Sequence, residues 1–480
     1  MSTAPTRTRA WPSLLTRERP RPEAIRNRPG AWRLAVATVC FGAFMGQLDA
    51  SIVTLTYGSL RDEFGASLAA IEWVSLAYLL TLVALLVPVG RLSDAHGRKL
   101  FYLYGFVVFT GASAACGLAP SLAALVAFRV VQAVGAAMMQ ANSVALVATS
   151  APRERMRAAL GVQAAAQALG LALGPTVGGA LVSALGWRWV FGINVPVGVV
   201  ALVAGHFLLP RTRSRSRVAS FDWPGLTLLA VTTTSLLLGL SAASGLGVPP
   251  WAAVALLALA AVTGWVFVRR QEHAPVPLLD VALLRVRAVR SGLVAALCGY
   301  LVLFGPLVLV PQTVARAGGS EFLAGLVLTA LPGGFALAAT GADRLLPRAM
   351  GDRARCLLGA AVCTGTPAAM LVLPTGPGVL AAQLAVLGIG LGLFTPANNT
   401  LVMSAIPARS AGTGGGLVNM ARGLGTALGV ALVTLQLHLS AGGDAREGWD
   451  RSVGVLLAAA LAATVAAWLS PARGRRPATQ

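Results

Sequence analysis

The chain has 480 residues, of which 56% are hydrophobic and only 11% are charged. A soluble globular protein carries about 25% charged residues, so this composition excludes a soluble domain and indicates a polytopic membrane protein. The formal net charge of +21 does not indicate nucleic-acid binding, because the arginines lie in short groups between apolar segments rather than on one tail or face.

Apolar segments long enough to span a bilayer recur along the whole chain. A spanning helix needs about 20 apolar residues, and about fourteen such segments can be placed. They lie approximately at 33–57, 69–89, 100–119, 121–148, 157–182, 188–209, 224–244, 251–268, 288–312, 323–346, 356–374, 378–403, 412–439 and 451–470. The sequence therefore predicts an all-α polytopic membrane protein with about 14 transmembrane helices.

Arginine alternates between the loops in a way that predicts orientation. With the N-terminus inside, the arginine-rich loops fall on the cytoplasmic side, as the positive-inside rule requires, and both termini are cytoplasmic. The predicted organisation is a cytoplasmic Arg/Pro-rich tail at 1–32, an N-terminal six-helix half at 33–210, a linker with an inserted helix pair at 211–287, a C-terminal six-helix half at 288–470, and a cytoplasmic tail at 471–480. Residues 1–30 lack an apolar signal region, so the first spanning helix is expected to direct insertion.

Asp49 lies within the first apolar segment. A carboxylate in the hydrocarbon region costs several kcal/mol, so it normally faces a cavity and is paired or protonated. Because burial favours the neutral form of a carboxylate, Asp49 is predicted to bind and release a proton. The alternative is an aspartate close enough to the outer surface to stay hydrated and structural.

A short charged segment joins the second and third apolar segments, with the pattern Gly-x-Leu-x-Asp-x-x-Gly-Arg-Lys. Gly90 and Gly97 permit close backbone approach and positive φ. Its charged residues are Arg91, Asp94, Arg98 and Lys99. Asp94 is expected to pair with one of these basic residues or to accept from a helix N-terminus. The segment is predicted to form a tight cytoplasmic loop, unless it only sets topology, and a weaker copy around Asp343 suggests repeated halves.

Arg129 and Gln132 lie one turn apart in the fourth apolar segment. A guanidinium cannot discharge itself, so Arg129 needs a partner or water inside the bundle. Counted along the helices, it lies at about the depth of Asp49. A positive charge there would help a nearby carboxylate to release a proton, and Gln132 could hold the same water or substrate.

The fifth apolar segment carries glycine at every fourth position, at Gly170, Gly174 and Gly178. Such a stripe lets another helix approach closely. Pro175 removes one backbone donor and permits a kink, and Gly179 follows the stripe.

Several other polar and aromatic residues are candidates for a substrate cavity. They are Trp73, Tyr78, Asn398 and Asn399. The two aromatic rings offer a surface for a flat or cationic compound, although interfacial anchoring explains them as well.

Arg422 is a second arginine embedded in an apolar segment. It is expected either to meet the segment around Asp94 or to end in solvent near the cytoplasm. The sequence does not decide whether Arg422, Glu72 or His438 takes part in coupling.

Four strings together resemble the fourteen-helix drug:proton antiporters of the major facilitator superfamily, over about residues 33–470. They are the Gly90–Lys99 segment, the Arg129-x-x-Gln132-x-x-Gly135 pattern, the Gly174-Pro175-x-x-Gly178-Gly179 string, and the Phe221-Asp222-Trp223-Pro224-Gly225 sequence that opens the inserted pair. Ala133 replaces the glycine that usually stands beside the glutamine of the second pattern. The third string is typical of the exporters in that superfamily, in which it is thought to shape a hinge and limit proton leak.

The resemblance implies a plasma-membrane transporter that exports a small organic compound, often lipophilic or cationic, in exchange for protons. Asp49 and Arg129 would then couple the proton, and the Gly90–Lys99 segment would close the cytoplasmic side. Protons are the only coupling ion expected, with no cofactor, metal, catalytic set or nucleic-acid partner, and a monomer is favoured. The alternatives are an exporter of one metabolite, such as a self-made antibiotic, and a transporter-like sensor that moves nothing.

Overall fold

The computed structural model describes residues 18–26, 28, 30–212, 221–243, 249–274, 277–318, 321–347, 350–440 and 445–470. Within these ranges all regular secondary structure is helical, and 14 segments are long and apolar enough to cross a membrane. The prediction of an all-α membrane protein with about 14 spans is therefore confirmed. Most of the predicted tails and most of the linker, at 1–17, 213–220 and 471–480, lie outside the described residues.

The long helices are numbered here in chain order. They are α1 Ala31–Ile52, α2 Leu68–His96, α3 Arg98–Gly117, α4 Leu122–Ser150, α5 Met156–Leu185, α6 Asn194–Leu208, α7 Trp223–Ala243, α8 Pro250–His273, α9 Arg287–Arg316, α10 Glu321–Leu345, α11 Asp352–Val372, α12 Pro377–Ala405, α13 Ala411–Leu439 and α14 Ala445–Leu469. Short helices at Tyr57–Phe64 and Arg188–Gly192 extend the first and sixth spans.

Local sequence explains where several of these helices begin and end. Ser67 caps α2 and Ser121 caps α4, each accepting a hydrogen bond from a backbone N–H three residues on. Gly97, with φ 123°, separates α2 from α3. This single residue is the whole connection, so the predicted loop at Gly90–Lys99 is wrong in extent: α2 stays helical to His96, where its last turns pack against α13.

The helices pack in two groups with a pair between them. Helices α1 to α6 contact one another, as do α9 to α14, and α7 pairs with α8. The α7–α8 pair lies against the first group at α2 and against the second at α13. There Leu237 of α7 packs with Leu80 and Val83 of α2 and with Leu424 of α13.

The two groups touch through helices that change partner midway. On α13, Gly415 and Gly423 lie against Ala141 and Val83 of the first group, but Gly425 lies against Leu297 of its own group. Similarly, the beginning of α5 packs against α10 at Ala339, whereas from Gly170 onward α5 packs against α1. Contact between the groups is therefore concentrated in one half of the bundle. We call the end of that half the Asp94 end, since it holds Asp94 and Asp343.

Candidate functional site

Asp49 and Arg129 form a direct ion pair inside the first group of helices. Nη1 of Arg129 lies 2.6 Å from Oδ2 of Asp49. The two side chains are 1% and 0% exposed, so the pair is fully buried in the region where an unpaired charge is most costly. Arg129 Nε also donates to the Val74 carbonyl at 3.0 Å, and the Tyr78 ring stacks 4.0 Å from its guanidinium carbon.

Neutral amides complete the cluster. The second carboxylate oxygen of Asp49 accepts from Gln132 Nε2 at 3.0 Å and from Asn194 Nδ2 at 3.1 Å. Gln132 also accepts from Arg129 Nη1 at 2.6 Å and donates to Ser113 Oγ at 2.8 Å. Asp49 is thus held by three side chains from two other helices, α4 and α6.

Asp49 and Arg129 share one layer, as their depths along the helices predict, and of the partner or water open to Arg129 the structure shows a partner, because the two side chains touch each other. Asn194 contributes a third contact that sequence analysis missed, because position in the chain does not tell which direction a side chain faces. The proton-coupling role of the pair stays a prediction at this point.

Asp94 ties the two groups together at the Asp94 end. Its oxygens accept from the backbone N–H groups of Gly412 and Thr413 at 2.7 Å each, and from the Thr413 hydroxyl at 2.8 Å. Gly412 and Thr413 open α13, where a carboxylate is stabilised by the helix dipole. Arg98 Nε donates to Asp94 at 2.9 Å, and its Nη2 reaches the Ala408 carbonyl at 2.5 Å. Asp94 is fully buried, so this contact joins the groups in the absence of competing water.

Only glycine fits at the crossing behind this contact. A Cβ on Gly90 would lie 2.5 Å from the Gly412 carbonyl oxygen. Lys99 does not join Asp94; its Nζ instead donates to three backbone carbonyls, Arg19 at 3.1 Å, His206 at 2.7 Å and Leu209 at 2.9 Å. The Nε atom of Arg91 is buried and has no hydrogen-bond partner among the described residues. Of the partners open to Asp94 in the sequence, the structure thus selects Arg98 and a helix N-terminus.

A second carboxylate links the groups at the same end. Arg157 of α5 donates to Asp343 of α10 through Nε at 3.0 Å and to Asp352 through Nη1 at 2.6 Å. Arg355 also donates to Asp343, at 2.6 Å. The weak sequence repeat around Asp343 therefore coincides with a second ionic contact. No pattern in the sequence indicated that Arg157 and Arg355 would be the basic partners of Asp343.

The glycine stripe of α5 lies against α1, one turn after another. Phe44 faces Gly170, Ser51 faces Gly174 and Ile52 faces Gly178, each too close to leave room for a Cβ. Gly179 faces open space. Pro175 falls within α5, but its side chain lies outside the described part of the chain. The stripe therefore forms a smooth contact between α5 and the helix that carries Asp49.

A small cavity lies between the two groups. It is lined by the polar side chains Gln47 and Gln167, the aromatic rings Tyr300 and Phe335, and the apolar or small residues Ala164, Ala168, Leu171, Leu303, Leu331 and Pro332. Gln47 comes from α1, two residues before Asp49. Helix α1 therefore carries a cavity side chain on one face and the proton-binding candidate on another.

The structure places the predicted cavity residues elsewhere. Tyr78 and Gln132 belong to the Asp49 cluster, and Trp73 is 44% exposed. Asn398 is buried and donates to the Gly292 carbonyl at 2.9 Å. Asn399 is buried, and neither of its amide atoms has a hydrogen-bond partner in the part of the chain that the structure describes. None of the five lines the cavity described above.

Arg422 lies neither at Asp94 nor in solvent, so both expectations for it were wrong. It is 4% exposed on α13, and Nη1 donates to Gln167 Oε1 at 3.4 Å and to Asn419 Oδ1 at 3.2 Å. Glu72 is half-buried and His438 is exposed. The cavity residues Gln47, Gln167, Tyr300 and Phe335 were missed by sequence analysis, because single glutamines and aromatic rings within apolar segments carry no distinguishing pattern.

Comparisons with known proteins agree with this architecture. A sequence model described as Major Facilitator Superfamily matches residues 39–430. The tetracenomycin C resistance and export protein of Streptomyces glaucescens is 31% identical, over 88% of this chain and 79% of that protein. The uncharacterized transporter YebQ of Escherichia coli K12 is 32% identical, over 92% of this chain and 96% of that protein. Among solved structures, human MFSD10, described as an organic anion transporter, has a TM-score of 0.67 at 17% identity, covering 91% of this chain and 100% of that one. That last similarity shows the fold alone.

Proposed function

The chain belongs to the Major Facilitator Superfamily of membrane transporters, and on that premise we propose that it exports small organic compounds in exchange for protons. Several features support export of a drug-like compound. The tetracenomycin C relative is named as a resistance and export protein, and the Gly-Pro-x-x-Gly-Gly string on α5 is typical of exporters. The cavity between the groups is largely apolar and aromatic, as expected for an organic substrate.

The Asp49–Arg129 pair is the single observation that carries the proposed proton coupling. Asp49 is a carboxylate that protonation would neutralise, and it is buried with a guanidinium that always keeps its charge. Protonation of Asp49 would weaken its attraction to Arg129 and change its hydrogen bonding with Gln132 and Asn194. Because Asp49 and the cavity residue Gln47 lie on the same helix, such a change can shift α1 along the smooth glycine stripe of α5.

In this proposal, the two ionic contacts at the Asp94 end act as the gate that closes that end of the bundle. Asp94 holds α13, and Asp343 is bound by Arg157, so both join the first group to the second. When they are formed, as here, that end is closed. With the orientation predicted by the positive-inside rule, the closed end faces the cytoplasm and the transporter is poised to receive protons from outside.

Everted membrane vesicles test proton coupling directly. We expect added substrate to dissipate a preformed pH gradient in vesicles with the wild-type protein, and Asp49→Asn to abolish the response. Asp62→Asn is the matched control, because Asp62 is an exposed carboxylate on the short helix Tyr57–Phe64. A substrate-dependent response in Asp49→Asn equal to that of the wild type would reject the role of Asp49, and a wild-type protein that binds substrate without any flux would indicate a sensor.

A narrower function is also consistent with the comparisons. The name of the Streptomyces glaucescens relative refers to one compound, which favours an exporter dedicated to a single metabolite. A susceptibility panel in a host that lacks its own efflux pumps separates the two functions. Resistance to many unrelated compounds would support broad export, and resistance to one would support the dedicated exporter.

A further inference from the structure

Arg422 is a buried positive charge for which the described residues provide no carboxylate partner. Its guanidinium is in contact with two neutral amide oxygens, those of Gln167 and Asn419, and its carbon lies 5.1 Å from the centre of the Tyr300 ring. Within the described part of the chain, the Nε atom is buried without a hydrogen-bond partner, and Arg422 forms no ion pair there within 4.0 Å. Its donors are therefore incompletely used.

Arg129, which is also buried within a spanning helix, provides an internal comparison. Arg129 is just as buried, but Asp49 balances its charge at 2.6 Å. A buried charge without a counter-ion costs several kcal/mol, and membrane proteins keep such residues at functional positions. Arg422 therefore differs from Arg129 because it has no negatively charged partner among the described residues.

A negatively charged partner of Arg422 would lie next to the cavity between the two groups, which we call the central cavity. Gln167 of the first group and Tyr300 of the second group are both in contact with the Arg422 guanidinium, and both line that cavity. Phe335 and Leu331 line the same cavity. The site thus combines one uncompensated positive charge with aromatic and aliphatic surface, and no cavity-lining residue carries a negative charge.

We propose that the central cavity binds organic anions, with a carboxylate, phenolate or enolate oxygen of the substrate paired with Arg422 and its flat apolar body in contact with Tyr300 and Phe335. This inference rests on the proposed transport function and names its substrate class. It differs from the cationic substrates that family resemblance implies. Because Arg422 is on the second group and Gln167 on the first, an anion bound there would contact both groups at once.

Equilibrium dye binding to the purified full-length protein tests the proposal without any proton gradient. Fluorescein and rhodamine 123 share a flat xanthene ring but are anionic and cationic, respectively, at neutral pH. We expect fluorescein to bind more tightly than rhodamine 123. Arg422→Gln should weaken fluorescein binding by about 10-fold or more, as expected for loss of a hydrogen bond to a charged group, while Arg422→Lys should retain part of the affinity. Arg290→Gln is the control, because it removes an exposed arginine of α9.

A second measurement on the wild-type protein guards against misfolding of a variant. Naphthalene-2-carboxylate should displace fluorescein at concentrations at least about 10-fold lower than naphthalene-2-carboxamide, which has the same shape without the charge. Equal displacement by the two compounds, equal fluorescein binding by wild type and Arg422→Gln, or stronger wild-type binding of rhodamine 123 would each overturn the proposal. Anion binding that persists while substrate fails to dissipate a pH gradient would reject proton coupling and leave this inference intact.

Discussion

Replacing Asp49 by asparagine is the most informative perturbation of the buried cluster. The substitution keeps the shape of the side chain, and its Oδ1 can still accept from Gln132 and Asn194. Its Nδ2, however, replaces the oxygen that lies 2.6 Å from Arg129 Nη1, so a donor then faces a donor. The charge of Arg129 remains, buried and unpaired.

The size of the effect follows from burial and distance. Two unit charges about 4 Å apart attract by about 4 kcal/mol at an effective dielectric constant of about 20. Removing one partner of a buried ion pair costs about 3–5 kcal/mol in measured cases. We therefore expect Asp49→Asn to lower the free energy of unfolding by about 3–5 kcal/mol, an effect separate from any loss of transport.

A double-mutant cycle separates the structural and the functional parts. Unfolding free energies in detergent would be compared for wild type, Asp49→Asn, Arg129→Gln and the double variant. The double variant should be more stable than the sum of the single effects predicts, by about 2–3 kcal/mol, because no unpaired charge remains. It should still fail to couple protons. Additive single effects, or an Asp49→Asn protein as stable as the exposed-site control Asp62→Asn, would refute the ion pair as the basis of this argument.

Three further predictions address the gate, the glycine stripe and the inserted pair. Asp94→Asn should open the Asp94 end. A cysteine introduced in place of the buried Ser93 should then react several-fold faster with a maleimide than the same cysteine does in a protein that keeps Asp94. Equal reaction rates would contradict the proposed gate. Gly174→Ala should lower the free energy of unfolding by about 1–3 kcal/mol through overpacking against Ser51. Gly179→Ala should leave it unchanged, because Gly179 faces open space. Equal effects of the two substitutions would argue against the close contact of α5 with α1. Burial alone would raise the pKa of Asp222, but its hydrogen bonds with Arg270, Gln271 and the Gly225 N–H outweigh burial and lower it. The stabilisation by Asp222 is thus fully present above the pKa of about 3.9 in the unfolded chain, and it is lost as the pH falls through the lower pKa of the folded protein. Asp222→Asn should therefore destabilise the protein at pH 7 and make its stability less sensitive to acid. Thermal unfolding at several pH values measures both effects.

The depth of a residue in the membrane could be predicted from the sequence, but the direction in which its side chain points could not. Each apolar segment must cross the same bilayer, so counting residues along a helix placed Asp49 and Arg129 in one layer correctly. Rotation about the helix axis depends on packing with neighbours that are distant in sequence. For this reason the direct contact of the pair, the role of Asn194 and the cavity position of Gln47 came only from the structure.

The same limit explains the outcome at Asp94 and Arg422. The sequence around Asp94 restricted its partners to nearby basic residues or a helix N-terminus, and one of the chosen partners, Gly412, lies 318 residues away. Arg422 follows Thr413 by nine residues, about 14 Å along α13, which carries it away from the gate and into the middle of the bundle. The predicted helix end at 89 was early, because a charged turn that is satisfied by a neighbouring helix need not leave the helical conformation.

The positions of the two sites bear on how coupling can work. If proton and substrate competed for one carboxylate, that carboxylate would have to line the cavity. Asp49 instead lies inside the first group, and Gln47 of the same helix reaches the cavity. Coupling by direct competition at Asp49 is therefore excluded in this conformation, and the coupling that we propose passes through displacement of α1. The glycine stripe of α5 makes such a displacement feasible, since small residues leave few interlocking side chains to hold α1 in one register.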